Sequence, residues 1–381
     1  MKHDMDCQTG IGNPNSKPEQ RDAVNPGPDE RLSESPQSIS HRDLRFDTLR
    51  VISTYAVVWL HVSAQVVESG HHFGTSAWWA GNVANSFSRW CVPLFVMMSG
   101  ALLLSRSSES DPLRFYRGRA ARLLVPLLFW SIFYIGWASY QEGQVDLYTA
   151  AKSVLAGYPY YHLWYLYMII GLYAMTPFLS QVSSASSRRL MVMLIVISFS
   201  MASIDSILSP FKKATAVTFV GLWVPYVAYY LAGHYLYVQQ RSIARLSLFT
   251  IAFGSAACIA LGTGILYTKL GSKSLEIMYA YLNPLVIMMS LAIYQFAVGS
   301  EKSTSEASSR FTRAIKFIAP LTLGIYVIHP FWIDVLNHAG ISGFTLHPSM
   351  GIIVTSFLAY GLSLTSTVIL RSIPAVRSIV K

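Results

Sequence analysis

The chain has 381 residues, of which 52% are hydrophobic and only 13% charged, and this profile excludes an ordinary soluble globular protein. The formal net charge of +10 does not indicate nucleic-acid binding, because the basic residues alternate with apolar stretches and form no continuous patch. Cys7, Cys91 and Cys258 do not form an even set in loops, so no disulfide framework is expected.

Residues 1–40 are rich in Pro, Ser, Asn, Asp and Glu and contain no apolar run, which predicts a disordered cytoplasmic tail. Apolar runs long enough to cross ~30 Å of hydrocarbon then follow one another. We predict one membrane domain over residues 41–375, an all-α bundle of about ten transmembrane helices, and a short cytoplasmic tail over 376–381. The predicted spans are 48–67, 83–104, 123–140, 162–180, 190–207, 216–238, 247–267, 277–298, 315–336 and 350–370.

Lysine and arginine are distributed unequally between the two sides of this predicted bundle. The N-terminal flank and the alternate loops on its side carry nineteen basic residues near the span ends, and the opposite side carries six. By the positive-inside rule both termini are expected to be cytoplasmic. The loops on the opposite side are short, so the chemistry is expected within the helix bundle or at its surface.

The first predicted span, in the stretch RFDTLRVISTYAVVWLH, carries ionisable residues on one face. Arg50 and His61 are separated by three helical turns plus about 20°, and Asp47, Thr54 and Glu68 fall on the same stripe. Such a line should face the bundle interior, because exposure to lipid costs several kcal/mol. Two alternatives remain open: Arg50 extends to the cytoplasmic interface, or His61 only hydrogen-bonds a neighbouring helix.

The loop after the second span, DPLRFYRGRAARLLVP, contains Arg114, Arg117, Arg119 and Arg122 and no lysine. Planar guanidinium groups suit bidentate binding of phosphate oxygens, although membrane topology or anionic lipid headgroups also explain them. Coenzyme A has phosphates at one end of a long thioester arm. Arginines at the cytoplasmic mouth would hold the phosphates while the arm reaches inward to His61, about 16 Å above Arg50.

Several stretches together resemble acyltransferase family 3, particularly its short members without an attached extracytoplasmic domain. They are the Arg50 to His61 arrangement, VPLFVMMSGALLL from Val92, FYRGRAARLLVP from Phe115, HLWYLYMIIGLYAMTPFL from His162 and LGIYVIHPFWIDVL from Leu323. The resemblance implies a multi-pass protein of the bacterial inner membrane. It implies transfer of an acyl group, commonly acetyl, from cytoplasmic acetyl-CoA as co-substrate to a hydroxyl of an envelope or exported glycan, with no bound cofactor.

The resemblance also implies roles for individual residues. His61 matches the family's essential histidine and Arg50 its paired basic residue. Arg119 and Arg122 match the loop arginines, with Arg117 beside them, and Asp47 matches the acidic residue before the span. Larger members often carry a Glu after a W-S-L stretch, whereas Tyr165 and Leu166 follow Trp164 here. This departure puts acceptor recognition in doubt.

We expect neutral His61 to act as a general base on the acceptor hydroxyl, and a transient acyl-histidine is an open alternative. Supporting or acceptor-side roles are expected for Glu68, Ser99, Trp164 and His329. His329 is equally explained as a histidine next to the helix-distorting Pro330, and Trp164 as an interfacial anchor. No metal site is expected, because the outer-loop pair His71 and His72 has no Cys or carboxylate partner nearby.

A secondary transporter or a flippase of a glycan or lipid-linked sugar is the competing hypothesis, since buried Arg and His also serve in proton relays. Transporters often contain inverted repeats and broken helices in matching halves, and the sequence shows neither clearly. A non-catalytic membrane scaffold would leave His61 unexplained. The expected partners are therefore acyl-CoA, a free or lipid-linked saccharide and membrane lipids, and no nucleic acid.

Overall fold

A computed structural model describes residues 43–69, 72–105, 112–143, 146–212, 219–299, 310–345 and 347–380. The predicted tail over 1–40 and the loop residues His71, Arg106 and Lys302 lie outside the described residues. The described segments form helices and turns, with no strand among them. The helices are α1 (Leu44–Glu68), α2 (Ser76–Ser86), α3 (Cys91–Leu104), α4 (Pro112–Glu142), α5 (Leu147–Ala156), α6 (Trp164–Ala185), α7 (Arg188–Leu208), α8 (Phe219–Trp223), α9 (Val227–Gln239), α10 (Arg245–Leu270), α11 (Lys273–Met278), α12 (Pro284–Val298), α13 (Arg310–Ile318), α14 (Thr322–His338) and α15 (Pro348–Ser372).

Eight helical stretches in the described part of the chain are long and apolar enough to cross a membrane. They coincide with eight of the ten predicted spans, and the all-α membrane class is confirmed. The predicted spans 216–238 and 277–298 fall instead on the shorter helices α9 and α12. Pro225 lies in the 3-10 turn Val224–Tyr226 before α9, and Pro284 is the first residue of α12. Proline is tolerated in a first turn because the N–H that it lacks would have no helical partner there. The total of about ten spans stays a prediction.

The second predicted span consists of two helices rather than one. Ser76–Leu104 forms a single apolar stretch, but α2 ends at Ser86 and α3 begins at Cys91. The four residues between them form a turn, in which the Ser88 hydroxyl donates to the Asn85 carbonyl at 2.8 Å. The turn places Arg89 inside a stretch long enough to span a bilayer.

Two glycines permit α3 and α9 to cross with their backbones in contact. A Cβ atom added at Gly233 would overlap the backbone of Met97, and one added at Gly100 would overlap the Tyr230 carbonyl. Small residues at such crossings are characteristic of membrane helices, whose association depends on close packing. The α3–α9 pair therefore fixes the position of the second span relative to the centre of the bundle.

The C-terminal segment packs against the bundle. Arg377–Val380 forms a 3-10 turn in which Ile379 and Val380 are buried. The Trp130 indole N–H donates to the Ile379 carbonyl at 2.9 Å. This contact joins the end of the chain to α4.

The glycine crossing predicts a stability difference between two alanine substitutions. Gly233→Ala should lower the free energy of unfolding in detergent by about 1–3 kcal/mol, because the added methyl group forces α3 and α9 apart. Gly254→Ala on α10 is the matched control, since no atom lies within 4 Å of its added Cβ. It should be neutral or slightly stabilising. Equal denaturation midpoints for the two variants would contradict the close crossing.

Candidate active site

The inner end of the polar stripe on α1 is an ion pair. Arg50 and Asp47 lie 3.6 Å apart, and Asp47 is buried while Arg50 is partly exposed. The Thr54 hydroxyl donates to the Arg50 carbonyl at 2.7 Å. Helix α1 starts at a strong cap, because the Asp43 carboxylate accepts from the Arg45 backbone N–H at 2.9 Å. The cap and the ion pair fix the rotation of α1 at this end.

Three helical turns beyond Arg50 on α1, His61 lies against two other elements. Its ring stacks on the His329 ring of α14, with centroids 5.2 Å apart and planes inclined by 28°. The Tyr161 ring, from the segment before α6, lies 4.9 Å from it on a tilted plane. The structure thus brings together two of the sequence-predicted site residues, His61 and His329, from opposite ends of the chain.

His162 is a third histidine in this cluster, and sequence reasoning assigned it no role. Its ring lies 5.5 Å from His329 and only 1% of the residue is exposed. The Tyr326 hydroxyl donates to the His162 carbonyl, which holds the α6 segment against α14. The sequence does contain one indication of a role for His162: it is a polar residue at the start of the HLWYLY stretch, next to an apolar span.

Several ring nitrogens of the cluster have no protein partner among the described residues. His329 Nδ1 lies 2.6 Å from the Tyr326 carbonyl, while its Nε2 is buried and unpaired. Both ring nitrogens of His162 are buried and unpaired. Buried polar atoms are nearly always hydrogen-bonded, and exceptions in proteins frequently mark reactive or ligand-binding sites. The unpaired nitrogens of the cluster can therefore form hydrogen bonds with a polar ligand.

A carboxylate lies beside the histidine cluster on the expected outer side. Asp334 of α14 accepts hydrogen bonds from the Tyr160 hydroxyl at 2.8 Å and from the Trp137 indole at 3.0 Å. Tyr160 in turn contacts Tyr161, with ring centroids 4.8 Å apart. Carboxylates and aromatic rings together are able to hydrogen-bond and stack against a polyhydroxylated ring.

Among the predicted loop arginines, Arg119 faces the bundle. Its guanidinium lies 4.1 Å from the centroid of the Phe115 ring, and its charge acts on Tyr230 of α9. The Tyr230 hydroxyl is hydrogen-bonded to Thr176 of α6 at 2.7 Å. Arg117 and Arg122 are exposed. The expected cytoplasmic end of the bundle therefore presents guanidinium groups beside buried hydroxyl groups.

Polar and aromatic side chains continue inward from this end. The Ser99 and Tyr173 hydroxyl oxygens are 3.5 Å apart. The Arg50 charge acts on Tyr165, whose ring lies 5.4 Å from that of Tyr326 in the histidine cluster. Arg50 and Ser99 are thus linked to the interior through aromatic residues of α6.

The remaining predicted site residues lie at the margins. Glu68 is exposed at the end of α1. The Trp164 ring lies 5.8 Å from the rings of both Tyr226 and Tyr281. Within the described residues no group of three or more His, Cys, Asp or Glu side chains has a geometry suited to a metal ion.

A polytopic helical membrane protein with a histidine cluster inside its bundle is the class that the fold and the site define. The family model described as an acyltransferase domain, that of acyltransferase family 3, matches residues 43–371. The chain therefore belongs to acyltransferase family 3 and is a membrane acyltransferase. No curated protein and no solved structure matches it.

The stacked histidines predict that His329→Phe lowers acyl transfer without unfolding the protein. The phenyl ring keeps the stacking surface for His61 but removes the unpaired Nε2. Turnover should fall by about tenfold or more, as expected for loss of a hydrogen-bonding group near the reacting atoms. The measurement is transfer of labelled acetyl from acetyl-CoA in membrane vesicles, with the melting temperature as the folding control. Wild-type turnover would assign His329 to packing alone.

Proposed function

We propose that this membrane acyltransferase moves an acyl group, acetyl in the first instance, from cytoplasmic acyl-CoA to a hydroxyl of an envelope or exported glycan. His61 is the general base. The observation that carries the proposal is the position of His61, on a helix whose other end holds the Asp47–Arg50 pair, stacked on His329 and contacted by Tyr161. The acceptor is free or lipid-linked saccharide.

The reaction uses His61 as follows. Its neutral ring takes the proton of the acceptor hydroxyl while that oxygen attacks the carbonyl carbon of the thioester. The carbon–sulfur bond breaks, and the proton passes from His61 to the leaving coenzyme A thiolate. In the alternative route the ring nitrogen attacks the thioester carbon, the carbon–sulfur bond breaks and coenzyme A leaves as the thiolate, so that the acyl group rests on His61. The sugar oxygen then attacks the acyl carbon, the carbon–nitrogen bond breaks, and the proton of the sugar hydroxyl passes to the thiolate. No cofactor is required in either route.

The donor approaches from the side with more basic loops. Arg119 and Arg122, with Arg117, bind the phosphates of the coenzyme, and the thioester arm extends past Ser99 and Arg50 to His61. The axial rise from Arg50 to His61 is about 16 Å, which suits an extended pantetheine arm. The support for this path is the row of hydroxyl and aromatic groups that links these residues.

The acceptor approaches from the other side. Asp334, with its hydrogen bonds from Tyr160 and Trp137, lies next to Tyr161 at the histidine cluster, and Glu68 lies at the outer end of α1. These groups would accept hydrogen bonds from sugar hydroxyls. Donor and acceptor on opposite sides are consistent with our proposal that the protein lies in the bacterial inner membrane with both termini in the cytoplasm.

Replacement of His61 by alanine tests the central role. Transfer of labelled acetyl from acetyl-CoA to extracted glycan should fall by about 10²–10⁴-fold, the contribution of a general base. His72→Ala is the matched control, because this exposed histidine lies outside the cluster and should leave turnover unchanged. A folded His61→Ala protein with wild-type turnover would refute the mechanism. Glycan translocation without acyl transfer by the wild type would favour a flippase.

Replacement of the two loop arginines tests the donor path. Arg119→Ala with Arg122→Ala should raise the Kd of acetyl-CoA at least about tenfold, because each charge-assisted phosphate contact contributes about 1.5–3 kcal/mol. The loss should be largest at low ionic strength, where exposed charges are least screened. Arg371→Ala, at the end of α15, is the matched control for lost positive charge. If the Kd of acetyl-CoA is unchanged, Arg119 and Arg122 do not bind the donor and serve only to determine membrane topology.

A further inference from the structure

Arg89 is a charged side chain within an apolar stretch, and neither the family motifs nor the mechanism above uses it. It lies in the turn between α2 and α3, inside Ser76–Leu104. A cation at such a position is expensive unless it faces the bundle interior, and such residues commonly mark a substrate path. Arg89 is partly buried, and among the described residues no carboxylate lies within ion-pair distance of it.

The guanidinium is held in place by neutral groups. Its Nε–H donates to the Asn85 side-chain oxygen at 2.7 Å, and one terminal N–H donates to the Tyr279 carbonyl at 3.1 Å. The Tyr279 ring centroid lies 4.3 Å from the guanidinium carbon and the Tyr281 ring centroid 5.8 Å from it. The Glu68 carboxylate interacts with this charge electrostatically but is not within ion-pair distance. These contacts therefore orient a cation that forms no ion pair among the described residues.

The same asparagine connects Arg89 to the turn of α1 that carries His61. The Asn85 side-chain N–H group donates to the Leu60 carbonyl at 3.0 Å and is 3.1 Å from the Ser63 hydroxyl. Leu60 and Ser63 flank His61 on α1, so Arg89 lies at the depth of the histidine.

Hydrogen-bond donors remain available on Arg89. A guanidinium has five N–H groups, and the hydrogen bonds to Asn85 and Tyr279 in the described part of the chain engage two of them. Tyr281 also packs against Trp164, at the start of the helix that follows the histidine-bearing segment. The remaining donors can therefore serve a ligand held beside the cluster.

We propose that Arg89 is a catalytic residue of this acyltransferase and donates hydrogen bonds to the thioester oxygen as negative charge develops on it. This inference rests on the proposed function. When the acceptor oxygen adds to the thioester carbon, the carbonyl π electrons move onto that oxygen, and they return when the carbon–sulfur bond breaks. A fixed cation in a water-poor interior stabilises this charge without reorganising. Repulsion between Arg89 and a protonated His61 also favours passage of the proton to the departing thiolate.

The test compares Arg89→Gln with Arg89→Lys in the purified full-length protein. The glutamine variant lacks the charge, so its kcat for acetyl transfer should fall by about 10²–10³-fold, the effect of removing an oxyanion donor. Its KM for acetyl-CoA and its affinity for a non-reactive thioether analogue should stay within about twofold of wild type. The lysine variant keeps the charge, and its kcat should lie within about tenfold of wild type. Arg371→Gln is the matched control and should be unaffected.

The outcomes separate the two proposals. A wild-type protein that transfers no acetyl from acetyl-CoA would overturn both of them. If the wild type is active and the folded Arg89→Gln protein keeps its kcat, only the role of Arg89 is overturned. If kcat falls by the same factor in the Gln and Lys variants, and their melting temperatures fall by the same amount, Arg89 only stabilises the turn between α2 and α3, and its catalytic role is overturned. Should the Gln variant fail to fold, a hundredfold loss of kcat in a folded Lys variant would overturn the proposal.

Discussion

The structure depends on the cost of leaving polar groups unpaired in hydrocarbon. Helices satisfy their own backbone hydrogen bonds, but each polar side chain within a span needs a partner in the bundle. Many serine and threonine hydroxyls bond a carbonyl one turn earlier in their own helix. Other partners come from distant segments: Asn82 donates to the Ala260 carbonyl and accepts from the Tyr279 hydroxyl, and Ser203 donates to the Leu282 carbonyl. The polar residues of the spans therefore determine which helices are neighbours.

The same constraint joins structure to chemistry. Asn85 bonds α1 through the Leu60 carbonyl and also orients Arg89, so one buried amide fixes both the packing of α1 on α2 and the direction of a charge. Tyr326 acts similarly in α14, because its hydroxyl bonds the His162 carbonyl and its own carbonyl lies next to His329 Nδ1. These hydrogen bonds between helices hold the histidine cluster and Arg89 in fixed positions inside the apolar bundle.

Helical periodicity predicted the features that lie within one helix, but not the contacts between helices. It identified eight of the long apolar helices and placed Asp47, Arg50 and His61 on one stripe, since residues three, four, seven and eleven apart share a face. It did not reveal the break between α2 and α3 or the role of His162. Both depend on contacts between residues about 170 to 190 positions apart, such as that of Arg89 with Tyr279 and that of His162 with His329. Spacing along one helix contains no information about such pairs.

Asp47 and Asp334 lie near opposite ends of the polar path and have separate tasks because of the distance between them. Asp47 pairs with Arg50 at one end of α1, whereas Asp334 binds Tyr160 and Trp137 near the other end. Asp47 precedes His61 by fourteen residues, about 21 Å of helix, so it cannot orient the histidine directly. Asp334 reaches the cluster only through the Tyr160 and Tyr161 rings. Among the described residues no ion pair joins a carboxylate to His61, so the histidine has no counterpart of the carboxylate in a catalytic triad. Its surroundings are aromatic rings, two other histidines and the Arg89 cation, so stabilisation of the developing negative charge falls to Arg89.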